Sequence, residues 1–173
     1  MTLLSDVDIK RALQKGEIKI VPQPLPDQIG AGSIDFTLSN EFWRIKETLK
    51  KGKVYDLNNI TYLDLFEEIK SDSVILKPGE LILGKTLEHL TLSPDIAAWI
   101  QGRSRYARLG LSVHVASSFI QPGSSNHQVL EIINFSPVAQ TLHAGMRICQ
   151  VIFQKMISKA EKPYSKFGTF SKQ

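Results

Sequence analysis

The chain has 173 residues, a length that suits one domain able to bury its own core without disulfides or metals. With 42% hydrophobic residues, 22% charged residues and a formal net charge of +4, the composition excludes a disordered or fibrous protein. The one cysteine, Cys149, excludes an internal disulfide and a cysteine-built structural zinc site, and the scattered positive charge favours a small anionic ligand over a nucleic acid.

The sequence carries no sign of membrane insertion or export. No run of 18 apolar residues occurs, and the first residues lack the basic start and apolar centre of a signal peptide. A single cysteine also fits a reducing compartment. We therefore expect a cytoplasmic protein that does not bind a membrane.

The first 73 residues predict one helix and one strand. Ser5 as N-cap, acidic residues in the next turn and Gly16 as a stop predict a short N-terminal helix. Three prolines between residues 21 and 26 indicate an extended loop, and the alternation of apolar and polar residues over 33–39 predicts a strand. The charged segment 47–73 is interpreted as an insertion with about one helical turn.

Beyond residue 73, short apolar runs alternate with turn residues. We expect strands at 74–76, 81–83, 90–92 and 146–153, with a turn after the second run at Gly84. Turn signals every eight to twelve residues indicate a mainly β fold, an antiparallel barrel or sandwich. No repeat or linker divides residues 1–173, so we expect one domain followed by a C-terminal tail at 155–173. The tail combines lysines, aromatic residues and a glycine, which suits either a disordered end or a lid over a planar ligand.

The segment 103–108 holds Arg103, Ser104, Arg105 and Arg108 between two glycines, and it predicts one or two turns of a short central helix. Ser104 and Arg108 are four residues apart and share a face. The start of such a helix offers amide groups to phosphate oxygens, and Arg103 and Arg105 add forked donors. The pattern therefore indicates a polyphosphate site, with a solvated basic helix as the alternative.

Glu131 interrupts the apolar run 129–133. In a strand it shares a face with Val129 and Ile133, where burial disfavours a charged carboxylate unless a cation such as Arg108 holds it ionised. A carboxylate in such surroundings is a candidate general base. A structural ion pair on an edge strand is the alternative.

Other ionisable residues have simpler interpretations. We expect Asp35 to cap a turn or to pair with an arginine. His114, His127 and His143 lack a second histidine or a cysteine at ligand spacing, so hydrogen-bonded or exposed roles are favoured and no metal site is predicted.

Taken together, these residues resemble the metal-independent dCTP deaminases, relatives of the trimeric dUTPases. The sequence GRSRYARLGL at 102–111 is similar to that family's signature around its central helix. The similarity continues through His114-Val115, Pro122-Gly123 and the Val-Leu-Glu of 129–131. The early strand at 32–38 and Pro163-Tyr164 at the start of the tail also match.

The resemblance implies a distorted antiparallel β-barrel or jelly roll of the dUTPase type, assembled as a homotrimer with active sites at subunit interfaces. It implies hydrolysis of dCTP to dUTP and ammonia without zinc. Glu131 would move the protons, while Ser104 and Arg108 would orient the attacking water. The triphosphate, together with Mg²⁺, would lie on Arg103 and the helix start.

Further substrate contacts follow from the same resemblance. Arg105 stands where the family has a second phosphate-binding serine, and Gln121 stands where it has an aspartate near the sugar. Tyr164 and Gln173 belong to the closing tail, in which Thr169 replaces the family's lysine.

Two other functions remain open. The first is a dUTPase, or a bifunctional dCTP deaminase and dUTPase. Such an enzyme normally activates its water with an aspartate at the position of Gln121. This hypothesis ranks lower, because a neutral amide cannot accept a proton at pH 7. A non-catalytic nucleotide-binding protein of the same fold is the third hypothesis, because a fold does not fix a function.

Overall fold

The computed structural model describes residues 2–49 and 52–171, and strands dominate it. Three helices are present in these ranges: α1 (Asp6–Gln14), α2 (Tyr62–Leu65) and α3 (Ser104–Ala107). The strands are β1 (Ile18–Val21), β2 (Ile34–Ile45), β3 (Phe66–Lys70), β4 (Ser73–Leu76), β5 (Leu81–Leu92), β6 (Ile96–Gly102), β7 (Leu111–Val113), β8 (Phe119–Ile120), β9 (Ser125–Asn134), β10 (Gln140–His143) and β11 (Arg147–Lys155). Short 3-10 turns occupy Pro26–Gln28 and Tyr164–Lys166.

Nine of the strands form one curled sheet and the other two form a ribbon. The main path runs β7-β9-β5-β2-β11-β6-β8, with β1 paired to β5 and β3 paired to β2. Strands β4 and β10 pair with each other, and every described pair is antiparallel. The predicted mainly β fold, a curled antiparallel sheet, is confirmed, together with its short N-terminal and central helices.

The concave side of the sheet holds the apolar core. Its largest fully buried side chains include Phe36, Phe42, Phe153 and Ile9. Helix α1 covers one end of this core with Ile9 and Ala12, and it begins as predicted with a capping box between Ser5 and Asp8. No described helix is both long and apolar enough to cross a membrane.

Two sequence predictions for the middle of the chain need correction. The runs at 81–83 and 90–92 are parts of one strand, β5, so the turn expected at Gly84 is wrong. Gly84 is buried in that strand, where a Cβ atom would stand 2.8 Å from Leu38 Cδ1 and 3.0 Å from Ile132 Cδ1. The insertion at 47–73 contains the expected helical turn, α2, but also strand β3, which its charged residues concealed.

Strand β9 and the segments around it position the candidate site. Leu130 and Ile132 of β9 are buried in the core, whereas Val129, Glu131 and Ile133 are half-buried on the other face. This is the alternation expected of a strand with one face in the core. Helix α3 connects β6 to β7, and the tail returns to the turn between β8 and β9.

Candidate active site

A cavity of about 640 Å³ lies against the outer face of β9. Its other boundaries are the loop after β7, the segment of α2 and β3, and the C-terminal tail. The apolar lining residues include Tyr62, Phe66, Leu81, Leu83, Phe119, Ile120, Val129 and Phe170, and the polar ones include His114, Ser117, Gln121, Ser124, Asn126, His127, Gln128, Glu131 and Tyr164. Among these described lining residues, Glu131 is the only carboxylate, and none is an arginine or a lysine.

Glu131 is held in the cavity wall by the loop after β7. Its Oε2 accepts a hydrogen bond of 2.8 Å from the Ala116 amide, and its main-chain oxygen accepts one of 2.7 Å from His114 N. Oε1 has no hydrogen-bond partner in the described parts of the chain, so this oxygen is available to a water or a ligand. Leu83 is the direct cross-strand partner of Glu131, and the two side chains therefore share a face of the sheet.

The loop over Glu131 depends on His114, which has a φ of 65°. Residues other than glycine rarely adopt this left-handed conformation, so a network has to hold it. The His114 ring contacts the Ser117 carbonyl through Nε2. A carbonyl only accepts, so Nε2 is the donor in this contact.

Helix α3 lies apart from this cavity within one chain. Ser104, Arg105 and Arg108 are exposed, and none of the three lines the cavity. No ion pair joins Glu131 to Arg108 among the described residues. A single subunit therefore does not bring together the predicted acid and its predicted guanidinium partner.

Arg103, at the start of α3, is fixed by two contacts. Its Nη2 lies 3.0 Å from Asp35 Oδ2, and its Nη1 donates to the Arg147 carbonyl at 3.0 Å. Burial raises the pKa of Asp35, an effect that the Arg103 and Arg147 charges partly oppose. The expected pairing of Asp35 with an arginine is confirmed.

Two tail residues, Tyr164 and Phe170, line the cavity. Tyr164 N donates to the Pro122 carbonyl at 2.9 Å, and Phe170 N donates to the Tyr164 hydroxyl at 3.2 Å. Asn126, which is buried, donates from Nδ2 to the Phe170 carbonyl at 2.9 Å. Of the predicted substrate contacts, Gln121 and Tyr164 thus share the cavity with Glu131, whereas Gln173 lies outside the described residues.

Sequence reasoning missed the apolar wall and the tail anchor. Phe66, Leu81 and Leu83 look like core residues in the sequence, and Asn126 looks like a turn residue. The alternation of apolar residues in β9 was the one sequence signal that placed the Glu131 side chain on a face shared with side chains of neighbouring strands. Within the described ranges, no three His, Cys, Asp or Glu side chains form a group that could hold a metal ion.

Comparisons with known proteins point to one family. The model of a family described as "dCTP deaminase-like" matches residues 3–156. A protein of Methanopyrus kandleri named "dCTP deaminase, dUMP-forming" is 37% identical over 172 residues, covering 95% of this chain and 88% of the relative. A "dCTP deaminase" of Pseudoalteromonas atlantica is 38% identical over 170 residues, covering 94% and 85%.

Solved structures support the fold. The 2'-deoxycytidine 5'-triphosphate deaminase of Agrobacterium tumefaciens superposes with a TM-score of 0.69 at 21% identity, covering 88% of this chain and 47% of that chain. A D95N mutant dUTPase from phage phi11 of S. aureus gives a TM-score of 0.55 at 10% identity, with 84% and 94% covered. At these identities the similarity concerns the fold.

Proposed function

Because the chain belongs to the dCTP deaminase-like family, we propose that it hydrolyses dCTP to dUTP and ammonia. The observation that carries this proposal is the position of Glu131. It is the only carboxylate among the described residues of a cavity large enough for a nucleoside, and it has one oxygen, Oε1, without a protein partner.

In the proposed reaction, Glu131 transfers every proton. Its carboxylate accepts a proton from water as the oxygen adds to C4 of cytosine. The same group passes that proton to N3. It then takes the proton of the new C4 hydroxyl and delivers it to the amino group, and the C4–N bond breaks to release ammonia as the C4 carbonyl forms. Leu83 and Val129 make the cavity wall beside Glu131 apolar. The steps require no zinc.

We propose that the site is completed by α3 of a neighbouring subunit in a homotrimer. Ser104 and Arg108 are exposed and lie outside their own chain's cavity, so they are free to reach another copy. There, Ser104 would orient the water, and the Arg108 guanidinium would keep Glu131 ionised before the proton transfer.

The triphosphate is proposed to bind outside the cavity interior. The described lining residues include no arginine or lysine, whereas α3 carries Arg103 and Arg105 at its start. Magnesium would arrive with the triphosphate as part of the substrate and be held by its oxygens. Gln121 would lie near the sugar, with Tyr164 and Gln173 in the closing tail. We expect the enzyme to act on cytoplasmic nucleotides.

The test is product analysis by chromatography after incubation with dCTP and magnesium. We expect dUTP and ammonia, and a loss of at least about 100-fold in kcat for Glu131→Gln, because the amide cannot accept the proton. Glu67→Gln, an exposed change on β3, is the matched control and should keep wild-type activity. Full activity in Glu131→Gln would contradict the mechanism.

A dUMP-forming reaction is the second candidate, and the name of the Methanopyrus kandleri relative favours it. In that reaction dUTP would also lose pyrophosphate, which requires a base for a second water. Gln121 lines the cavity but offers only a neutral amide, so we rank this candidate lower. Steady pyrophosphate release from added dUTP would reverse the ranking.

A further inference from the structure

The cavity wall beside Glu131 is apolar. Leu83 is paired with Glu131 across the strands, so their Cβ atoms are about 5 Å apart. Val129 lies two residues before Glu131 on the same face, about 7 Å away along the strand. Phe66 and Leu81 extend this surface, which we call the β5 wall: Phe66, Leu81, Leu83 and Val129.

The chemistry of cytosine decides which of its edges faces the β5 wall. C4, the atom attacked by water, is bonded to N3 on one side and to C5 on the other. N3 accepts hydrogen bonds and receives a proton in the proposed reaction. Placing it against hydrocarbon would leave it without a hydrogen-bond partner and weaken binding, so N3 is expected near a polar group. C5 carries only a hydrogen atom. The orientation that buries the fewest unpaired polar atoms therefore directs C5 toward the wall.

The cavity volume is compatible with a base that carries a small substituent. The volume of about 640 Å³ is typical of pockets that enclose a whole drug-sized ligand. Because the described lining residues include no arginine or lysine, the triphosphate is expected to lie outside, and the interior has to hold only the base and sugar.

We propose that the enzyme also deaminates dCTP that carries a small apolar group on C5, with 5-methyl-dCTP as the simplest case. This inference rests on the proposed deaminase function. Water adds at C4, the C4–N bond breaks and ammonia leaves, so 5-methyl-dCTP and water give dTTP and ammonia. The methyl group takes no part in the bond changes, and no oxidant or reductant is needed.

The experiment compares the two substrates with the full chain under identical magnesium concentrations. We expect kcat/KM for 5-methyl-dCTP to be at least one tenth of the value for dCTP. The KM should be lower by up to about fourfold, since burying one methyl group strengthens binding by about that factor. A kcat/KM ratio below one tenth, with dCTP turned over, overturns the inference and leaves the proposed function intact.

A binding measurement tests the β5 wall even without turnover. Isothermal titration of Glu131→Gln with each nucleotide should give a Kd for 5-methyl-dCTP no higher than that for dCTP. A Kd more than threefold higher overturns the inference. If wild type turns over neither nucleotide, the proposed function fails, and this titration still decides whether the wall accepts the methyl group.

Variants locate the effect in the wall. Leu83→Phe should lower the kcat/KM ratio of 5-methyl-dCTP to dCTP at least tenfold by filling the space. Leu87→Phe on the same strand is the control, because Leu87 is exposed and does not line the cavity. Val129→Leu adds one methylene and should lower the ratio if Leu83→Phe does not fold. An unchanged ratio in the folded wall variant contradicts the proposal.

Discussion

Gly84 shows how a single missing side chain permits the packing of three strands. It lies in the middle of β5, where the Leu38 and Ile132 side chains of the neighbouring strands β2 and β9 close over it. Both neighbours are fully buried, so neither can move into solvent to make room for a methyl group. The glycine that sequence reasoning took for a turn is therefore a packing residue.

We predict that Gly84→Ala destabilises the protein by about 1 to 2 kcal/mol. Overpacking of a core destabilises the folded state by about 1 to 3 kcal/mol. Alanine also lowers the conformational entropy of the unfolded chain relative to glycine, which offsets about 0.4 to 1 kcal/mol of that loss. Urea unfolding measures the difference. Gly102→Ala is the control, because the nearest atom to its Cβ would stand at 3.8 Å, and it should lose no stability. Equal stability of Gly84→Ala and wild type would contradict this account.

At the scale of elements, one ion cluster joins three segments. Lys155, at the end of β11, lies 2.9 Å from Asp95 in the turn between β5 and β6, and 3.6 Å from Glu17 between α1 and β1. Asp95 also accepts a hydrogen bond of 2.6 Å from the Ser93 hydroxyl. The Ser93 hydroxyl and then Lys155 lower the pKa of Asp95, and hydrogen bonding to Asp95 is the main cause that raises the pKa of Lys155.

These pKa shifts predict the pH range in which the ion cluster stabilises the fold. Ionised Asp95 contributes above its ordinary pKa of 3.8, and its contribution is lost as the pH falls through the lower folded value. Charged Lys155 contributes below 10.5, and its contribution is lost as the pH rises through the higher folded value. The pair therefore stabilises the protein most between about pH 4 and pH 10.

We predict that Asp95→Asn lowers the free energy of unfolding at pH 7 by less than about 1 kcal/mol, because both partners are partly exposed to solvent. The difference from wild type should shrink as the pH falls below 3.8. Denaturant melts at a series of pH values give both results. Asp72→Asn, an exposed change without an ion pair among the described residues, should show no such pH dependence. A difference that grows in acid would have the wrong sign.

Local signals explain which elements the sequence predicts. The capping residues of α1 and the alternation in β2 are encoded within a few neighbouring positions, so both elements could be identified. Strand β3 reads Phe-Glu-Glu-Ile-Lys, and only its pairing with β2 stabilises that polar stretch as a strand. The length of β5 likewise depends on Leu38 and Ile132, which lie far from Gly84 in the sequence.

At the scale of the whole molecule, the proposed catalytic residues divide between two surfaces. Glu131 lines the cavity, while Ser104 and Arg108 point outward from α3. The residue types and the facing of Glu131 could be predicted from the sequence, because they depend on local motifs and strand alternation. The distance between the two groups could not, because it depends on how copies of the chain meet.

Mixing two inactive variants tests the proposed arrangement of subunits. Glu131→Gln and Arg108→Ala are refolded together in equal amounts, and activity on dCTP is measured. If each site takes Glu131 from one subunit and Arg108 from the next, every mixed trimer has one intact site, and about a quarter of wild-type activity returns.

The outcome distinguishes the two possible origins of Arg108. If both residues of a site came from the same chain, no mixture could contain an intact site, and activity would stay at the level of the separate variants. Each variant refolded alone is the control for recovery of folded protein. Size-exclusion chromatography with light scattering checks the trimer.

The β5 wall is built from strands of the sheet and not from a surface loop, and Leu81 and Leu83 belong to the central strand β5. Any mutation that reshapes this side of the cavity therefore also changes a strand whose opposite face is packed in the core. Substitutions at Leu81 or Leu83 that are selected for a new base preference should therefore lower the Tm of the protein. Libraries confined to the segment 117–124 and the tail should yield altered selectivity with fewer misfolded clones.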